Sequence, residues 1–78
     1  MTRDLPVISG KKVIKIFIKI GYVQTRQRGS HVRLKHPRNK NRRPLTVPLH
    51  KELKQGLLKS LLYDANLSIE ELKSMLTK

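Results

Sequence analysis

The sequence predicts an α+β fold: a two-layer sandwich in which helices from both ends of the chain cover one face of a three-stranded antiparallel sheet. Two apolar patterns at helical spacing, over 13–20 and 57–62, sit toward the two ends. Between them lie three short stretches bounded by turn residues. Those stretches are close together in sequence, so an antiparallel meander is the simplest pairing.

Residues 1–8 read as a loose lead-in. Ser9 is a good N-cap, and helical spacing starts directly after it. Val13, Ile14, Ile16, Phe17, Ile18 and Ile20 cover rather more than half of that helix. The β-branched isoleucines favour a strand, but Lys11, Lys15 and Lys19 recur at i, i+4 and i+8 and decide for a helix. Gly21 supplies its C-terminal cap. Tyr22 to Arg28 reads as a strand, Gly29-Ser30 as a tight turn, and His31 to His36 as a second strand. Residues 37–43, Pro-Arg-Asn-Lys-Asn-Arg-Arg, read as a polar, flexible, strongly basic loop. A third strand spans Leu45 to Val47 and is ended by Pro48. Leu57, Leu58, Leu61 and Leu62 mark the next helix, which Asn66 can close in a left-handed conformation. Ser68 with Glu71 three residues on is a capping box, opening a short helix that carries Leu72, Met75 and Leu76.

At 78 residues the chain is read as a single domain, 1–78, with a thin core. It has no cysteine, which excludes disulfide staples, thiolate metal sites and Cys nucleophiles. No run is long and unbroken enough for a signal peptide or a membrane span, so a cytoplasmic setting and no membrane partner are expected. Eighteen Lys and Arg against five Asp and Glu give a formal charge of +13. From Asp4 to Glu52 no acidic residue intervenes, while thirteen Lys or Arg do. Such a surface concentrates polyanions, and nucleic acid leads because neutralised phosphates release counterions. With only Phe17, Tyr22 and Tyr63 aromatic, stacking is not expected to dominate recognition.

Strand alternation gathers the chemistry. Val32 and Leu34 share one face of the second strand, and His31, Arg33 and Lys35 the other. On the first strand Val23 and Thr25 alternate against Gln24, Arg26 and Arg28. With the apolar sets under the helices, the open face carries a histidine among cations. RNA cleaves when its 2′-hydroxyl attacks the adjacent phosphorus, and a histidine can take or give a proton at neutral pH. Cations stabilise the developing phosphoryl charge. No carboxylate cage for Mg²⁺ is evident, so no metal and no cofactor is expected. A histidine beside a turn can equally be a surface hydrogen-bonding residue. His36, on the core-facing parity, reads as structural, and His50 as a cap on the connection into the next helix. A two-histidine acid–base pair stays open.

The string resembles the HicA toxin family of prokaryotic toxin–antitoxin systems over about 9–76. Ser9-Gly10-Lys11 with Val13-Ile14 opens the first helix as family members do. Ile20-Gly21-Tyr22 followed by Arg26-Gln27-Arg28-Gly29-Ser30-His31 is similar to the family's glycine–serine–histidine stretch. Thr46-Val47-Pro48-Leu49-His50, Glu52-Leu53-Lys54 with Gly56 and 58–62, and Leu67 to Glu71 supply three further blocks in the family's order. Departures are Val32 where a second histidine is frequent, Gln55 and Leu57 where proline and threonine are common, Asn66 for glycine, and a longer, more basic 37–43 loop. The resemblance implies a fold like a double-stranded RNA-binding domain and metal-free cleavage of mRNA. It also implies activity dependent on His31, and masking by an acidic HicB-like antitoxin.

The reading is therefore an endoribonuclease toxin in which His31 is the catalytic acid or base. The expected RNA-binding residues are Arg26, Arg28, Arg33 and Lys35 at the scissile phosphate, with Gly29 and Ser30 in the turn beside them. Lys11, Lys12, Lys15, Lys19, Lys54 and Lys59 hold flanking backbone. A non-catalytic RNA-binding module, or a small domain whose basicity serves an acidic protein, are the competing readings.

Overall fold

In the computed structural model, residues 5–77 are described. The order is α1 (Gly10–Lys19), β1 (Val23–Arg28), β2 (His31–Lys35), β3 (Leu45–Pro48), α2 (Gln55–Ala65) and α3 (Ile69–Leu76). The sheet runs β1-β2-β3, antiparallel throughout, as the meander reading expected.

Each helix forms where its end signals stand. The Ser9 hydroxyl accepts from the Lys12 amide, 3.1 Å away, and starts α1. At the far end of α1, Ile20 is the C-cap and Gly21 follows at φ 112°. Asn66 closes α2 at φ 56°, ψ 46°, in the left-handed conformation expected of it. Ser68 and Glu71 form both bonds of the capping box that opens α3.

One cluster of buried side chains holds the layers together. Val13 and Phe17 of α1, Leu58 and Leu62 of α2 and Leu72 of α3 meet Val32, Leu34, Leu45 and Val47 of the sheet. Burying each such side chain is worth roughly 1.5–3 kcal/mol, so this small core has little to spare. Residues 5–9 have no regular structure, but they are not the loose lead-in expected over 1–8. Leu5 and Ile8 are buried, and the Leu53 amide donates to the Ile8 carbonyl at 2.9 Å. The first four residues of that lead-in lie outside the described ones.

Two further expectations are corrected. Val23 and Thr25 do not face the helices: every residue of β1 is exposed, Val23 by 48 %. A bulge between Gln24 and Arg26 leaves Thr25 without a partner, and a bulge reverses the alternation that follows it. Val23 therefore pairs with Lys35 and Gln24 with Leu34. The second correction concerns the basic loop, which is fastened rather than flexible. The Asn39 amide donates to His36 Nδ1, and the Asn41 and Arg42 amides donate to Asn39 oxygens. Further along, the Arg43 amide donates to the Asp64 carbonyl at 2.7 Å, while the Tyr22 hydroxyl donates to the Arg43 carbonyl at 2.7 Å.

Candidate functional site

His31 opens β2 directly after the Gly29-Ser30 turn. Gly29 holds φ 58°, a conformation a glycine adopts without steric cost, so the chain reverses and His31 enters the sheet on its open side. The Ser30 carbonyl accepts from the Leu49 amide at 2.7 Å, which ties the turn to the end of β3. The start of α1 meets the same end. Gly10 lies against the Pro48 carbonyl so closely that any Cβ would collide with it, and its amide donates to the His50 carbonyl at 3.0 Å. Turn, strand end and helix start thus brace one another around the position of His31.

Strand register then assembles the cations. Arg28 is directly opposite His31, and Arg26 is directly opposite Arg33. Residues so paired share a face and stand with Cβ atoms about 5 Å apart. Lys35 continues the row, and Thr46 on β3 pairs with Arg33, whose Nη1 donates to its hydroxyl at 2.9 Å. His31, Arg33, Lys35, Arg26 and Arg28 are all exposed. Two arginines directly opposite each other repel, and a sheet gains nothing from such a pair on its own. An anion bound between them would relieve the repulsion. Thr46, which the sequence reading did not single out, fixes one guanidinium of that pair; only the register, not the residue types, marks it.

The predicted residues do not form one surface. Gly29 and Ser30 are exposed in the turn beside His31. Lys11 and Lys12 lie in the first turn of α1, at the braced end. Lys15 and Lys19 are exposed on α1, away from its buried Val13, Ile14 and Phe17. Because those residues point down onto the sheet, Lys15 and Lys19 project from the outside of the helical layer, with the core between them and the His31 face. Lys54, the N-cap of α2, and Lys59 within it are exposed on that helical layer too. Of the predicted set, the sheet and turn members stand around His31, Lys11 and Lys12 start the helix braced beside it, and Lys15, Lys19, Lys54 and Lys59 lie on the helical layer.

The other histidines have separate work. His36 Nδ1 accepts from the Asn39 amide at 3.1 Å, and its Nε2 is 2.8 Å from the Ile20 carbonyl, to which it donates. Its ring meets Tyr22 edge-on, with centroids 5.1 Å apart, so both nitrogens serve the structure, as expected of His36. His50 does not cap the connection into α2. The N-cap position of that helix is Lys54, whose side chain makes no capping bond, and it is the backbone carbonyl of His50 that serves, at the start of α1. Among the described residues, no three His, Asp or Glu side chains are grouped so as to hold a metal ion. No described helix is long and apolar enough to cross a membrane.

The family profile described as the HicA toxin of bacterial toxin–antitoxin systems matches residues 10–67 of the 78-residue chain. The chain belongs to the HicA toxin family. Comparison with curated proteins and with solved structures returns no match. The HicA match begins with the first residue of α1 and takes in the whole sheet and α2, and with them His31 and every basic residue named above; α3 lies beyond it.

Proposed function

We propose that this HicA-family chain is a metal-independent endoribonuclease that cleaves mRNA on the open face of its sheet. The observation that carries the reading is the exposed His31 with Arg28 opposite it and the Arg26–Arg33 pair next along the same face. In the reaction, the RNA 2′-oxygen bonds to phosphorus as its proton passes to a base. The P–O5′ bond then breaks, and the 5′-oxygen takes a proton from an acid. The products are a 2′,3′-cyclic phosphate and a 5′-hydroxyl. His31 supplies one of the two proton transfers. Arg28, Arg26 and Arg33 stabilise the charge that gathers on the phosphoryl oxygens, and Arg33 is already oriented by Thr46. Ser30 and Gly29 leave the approach to His31 free of bulk. An acidic antitoxin of the HicB kind, in the cytoplasm, suits the same surface, and by covering it would silence the toxin.

The test is a cleavage assay in EDTA. Wild type should yield fragments ending in a cyclic phosphate. A folded His31→Ala protein should be slower by about 10²- to 10⁴-fold. Cleavage by that variant at the wild-type rate would remove His31 from the mechanism. Gel-shifted but intact RNA with the wild-type protein would leave a binding module instead.

A further inference from the structure

Tyr63 is the one exposed aromatic of the described residues, 79 % open to solvent, whereas Phe17 and Tyr22 are buried. Its ring lies outside the buried cluster, and among the described residues its hydroxyl makes no hydrogen bond, so the ring is open to a partner. The ring stands on α2 at the wall of a cleft of about 530 Å³ that is also lined by Asn41 and Arg43 of the loop and by Asn66, Ser68 and Glu71. We propose that this cleft is a nucleobase subsite: one base of a single-stranded RNA stacks on Tyr63, its edge meets the Asn66 and Asn41 amides, and its phosphate pairs with Arg43.

Four features of the site fit a base. The cleft is open and polar-lined, and its volume falls in the range of small-ligand sites. The amide and hydroxyl groups along it offer both donors and acceptors. Arg43 and Lys59 flank the ring and outnumber the one carboxylate of the cleft, Glu71, so the local charge still favours an anionic chain. The loop wall is also preformed, because the Arg43 backbone is held at both its amide and its carbonyl. A site assembled before binding loses less entropy on association.

The subsite rests on RNA being the partner, and it is distinct from the His31 site. The loop leaves the sheet at the Lys35 and Leu45 ends, and β2 alone sets His31 about 13 Å from Lys35 at roughly 3.3 Å per residue. One nucleotide cannot occupy both places. Exposed Lys35, Arg38, Lys40 and Arg43 mark a cationic course from the open face around the loop to Tyr63. The ring therefore holds a base several nucleotides from the bond that is cut.

Binding is measured with a 2′-O-methylated single-stranded RNA of about 12 nucleotides, which the protein cannot cleave, and with polyphosphate, a polyanion without bases. On the RNA, Tyr63→Leu should lose about tenfold in affinity, Tyr63→Phe should retain most of it, and wild-type tyrosine fluorescence should be quenched. Polyphosphate affinity should be equal in all three. Unchanged RNA affinity in Tyr63→Leu would overturn the subsite, and so would an equal loss on both polymers. Quenching by the methylated RNA, together with no fragments from unmodified RNA in the cleavage assay above, would instead defeat the nuclease reading and leave the subsite standing.

Discussion

His31 owes its exposure to its neighbours in the chain as much as to its own chemistry. Gly29 and Ser30 turn the backbone, and the Ser30 carbonyl bond to Leu49 fixes where the next side chain emerges. That much was readable from the Gly-Ser-His string and the alternation of β2. The role of Tyr22 was not, since it depends on partners 21 and 14 positions away: its hydroxyl donates to Arg43, and its ring meets His36. Burial raises the Tyr22 pKa to about 12, with the charge of Arg42 opposing and that of Asp64 adding to the rise. A phenol whose pKa is raised by folding stabilises the fold fully below the ordinary tyrosine value near 10. That contribution is lost as pH climbs from there through about 12. Tyr22→Phe is expected to cost about 1 kcal/mol at neutral pH through the lost hydrogen bond. It should also flatten the alkaline loss of stability, which chemical denaturation between pH 8 and 12 would read; identical curves for the two proteins would contradict this account.

At the scale of elements, α3 is the least secured and its cap matters most. It has only 8 residues, and an isolated helix of that length does not persist in water. Leu72 and the Ser68–Glu71 box hold it. The Ser68 amide, followed by its hydroxyl, holds the Glu71 carboxyl below the usual carboxylate range. A depressed carboxyl contributes at and above the ordinary glutamate range, and that contribution disappears as pH falls through the depressed value. Ser68→Ala should cost about 1 kcal/mol. Glu71→Gln should lower the melting temperature at pH 7, and the gap to wild type should close as pH falls through that depressed value; a gap that persisted in acid would point to something other than the carboxylate. β1 is the element the sequence described least well. A bulge has no signature in Gln24-Thr25-Arg26, so its effect on the facing of Val23 emerged only with the pairing. The same holds for the loop at 37–43, whose composition reads as solvated coil. Its anchors, the Asp64 carbonyl, the Tyr22 hydroxyl and the His36 ring, lie on other elements.

At the scale of the whole molecule, the +13 charge is spread over two surfaces rather than gathered at one. The sheet face carries His31 and its arginines, and the outside of the helical layer carries Lys15 and Lys19. RNA held at the open face should therefore lose more from Arg33→Gln than from Lys15→Gln. On a single strand, each lost phosphate contact should reduce the slope of log K against log salt by about 0.7. Titrations of uncleavable RNA from low to moderate salt would show it, and equal effects of the two substitutions would mean the RNA engages both layers alike. The sequence by itself determined the order of the elements, their caps, the alternation of β2 and the basic character of the partner surface. Those follow from local spacing, turn chemistry and charge, which act between near neighbours. Tertiary structure alone decided that Arg26 stands against Arg33, that Val23 faces outward, that the loop is fastened, and that Lys15 and Lys19 of α1 turn away from His31. Each of these depends on which distant backbone groups pair and which side of a layer a side chain leaves, and neither is encoded in any short stretch of the chain.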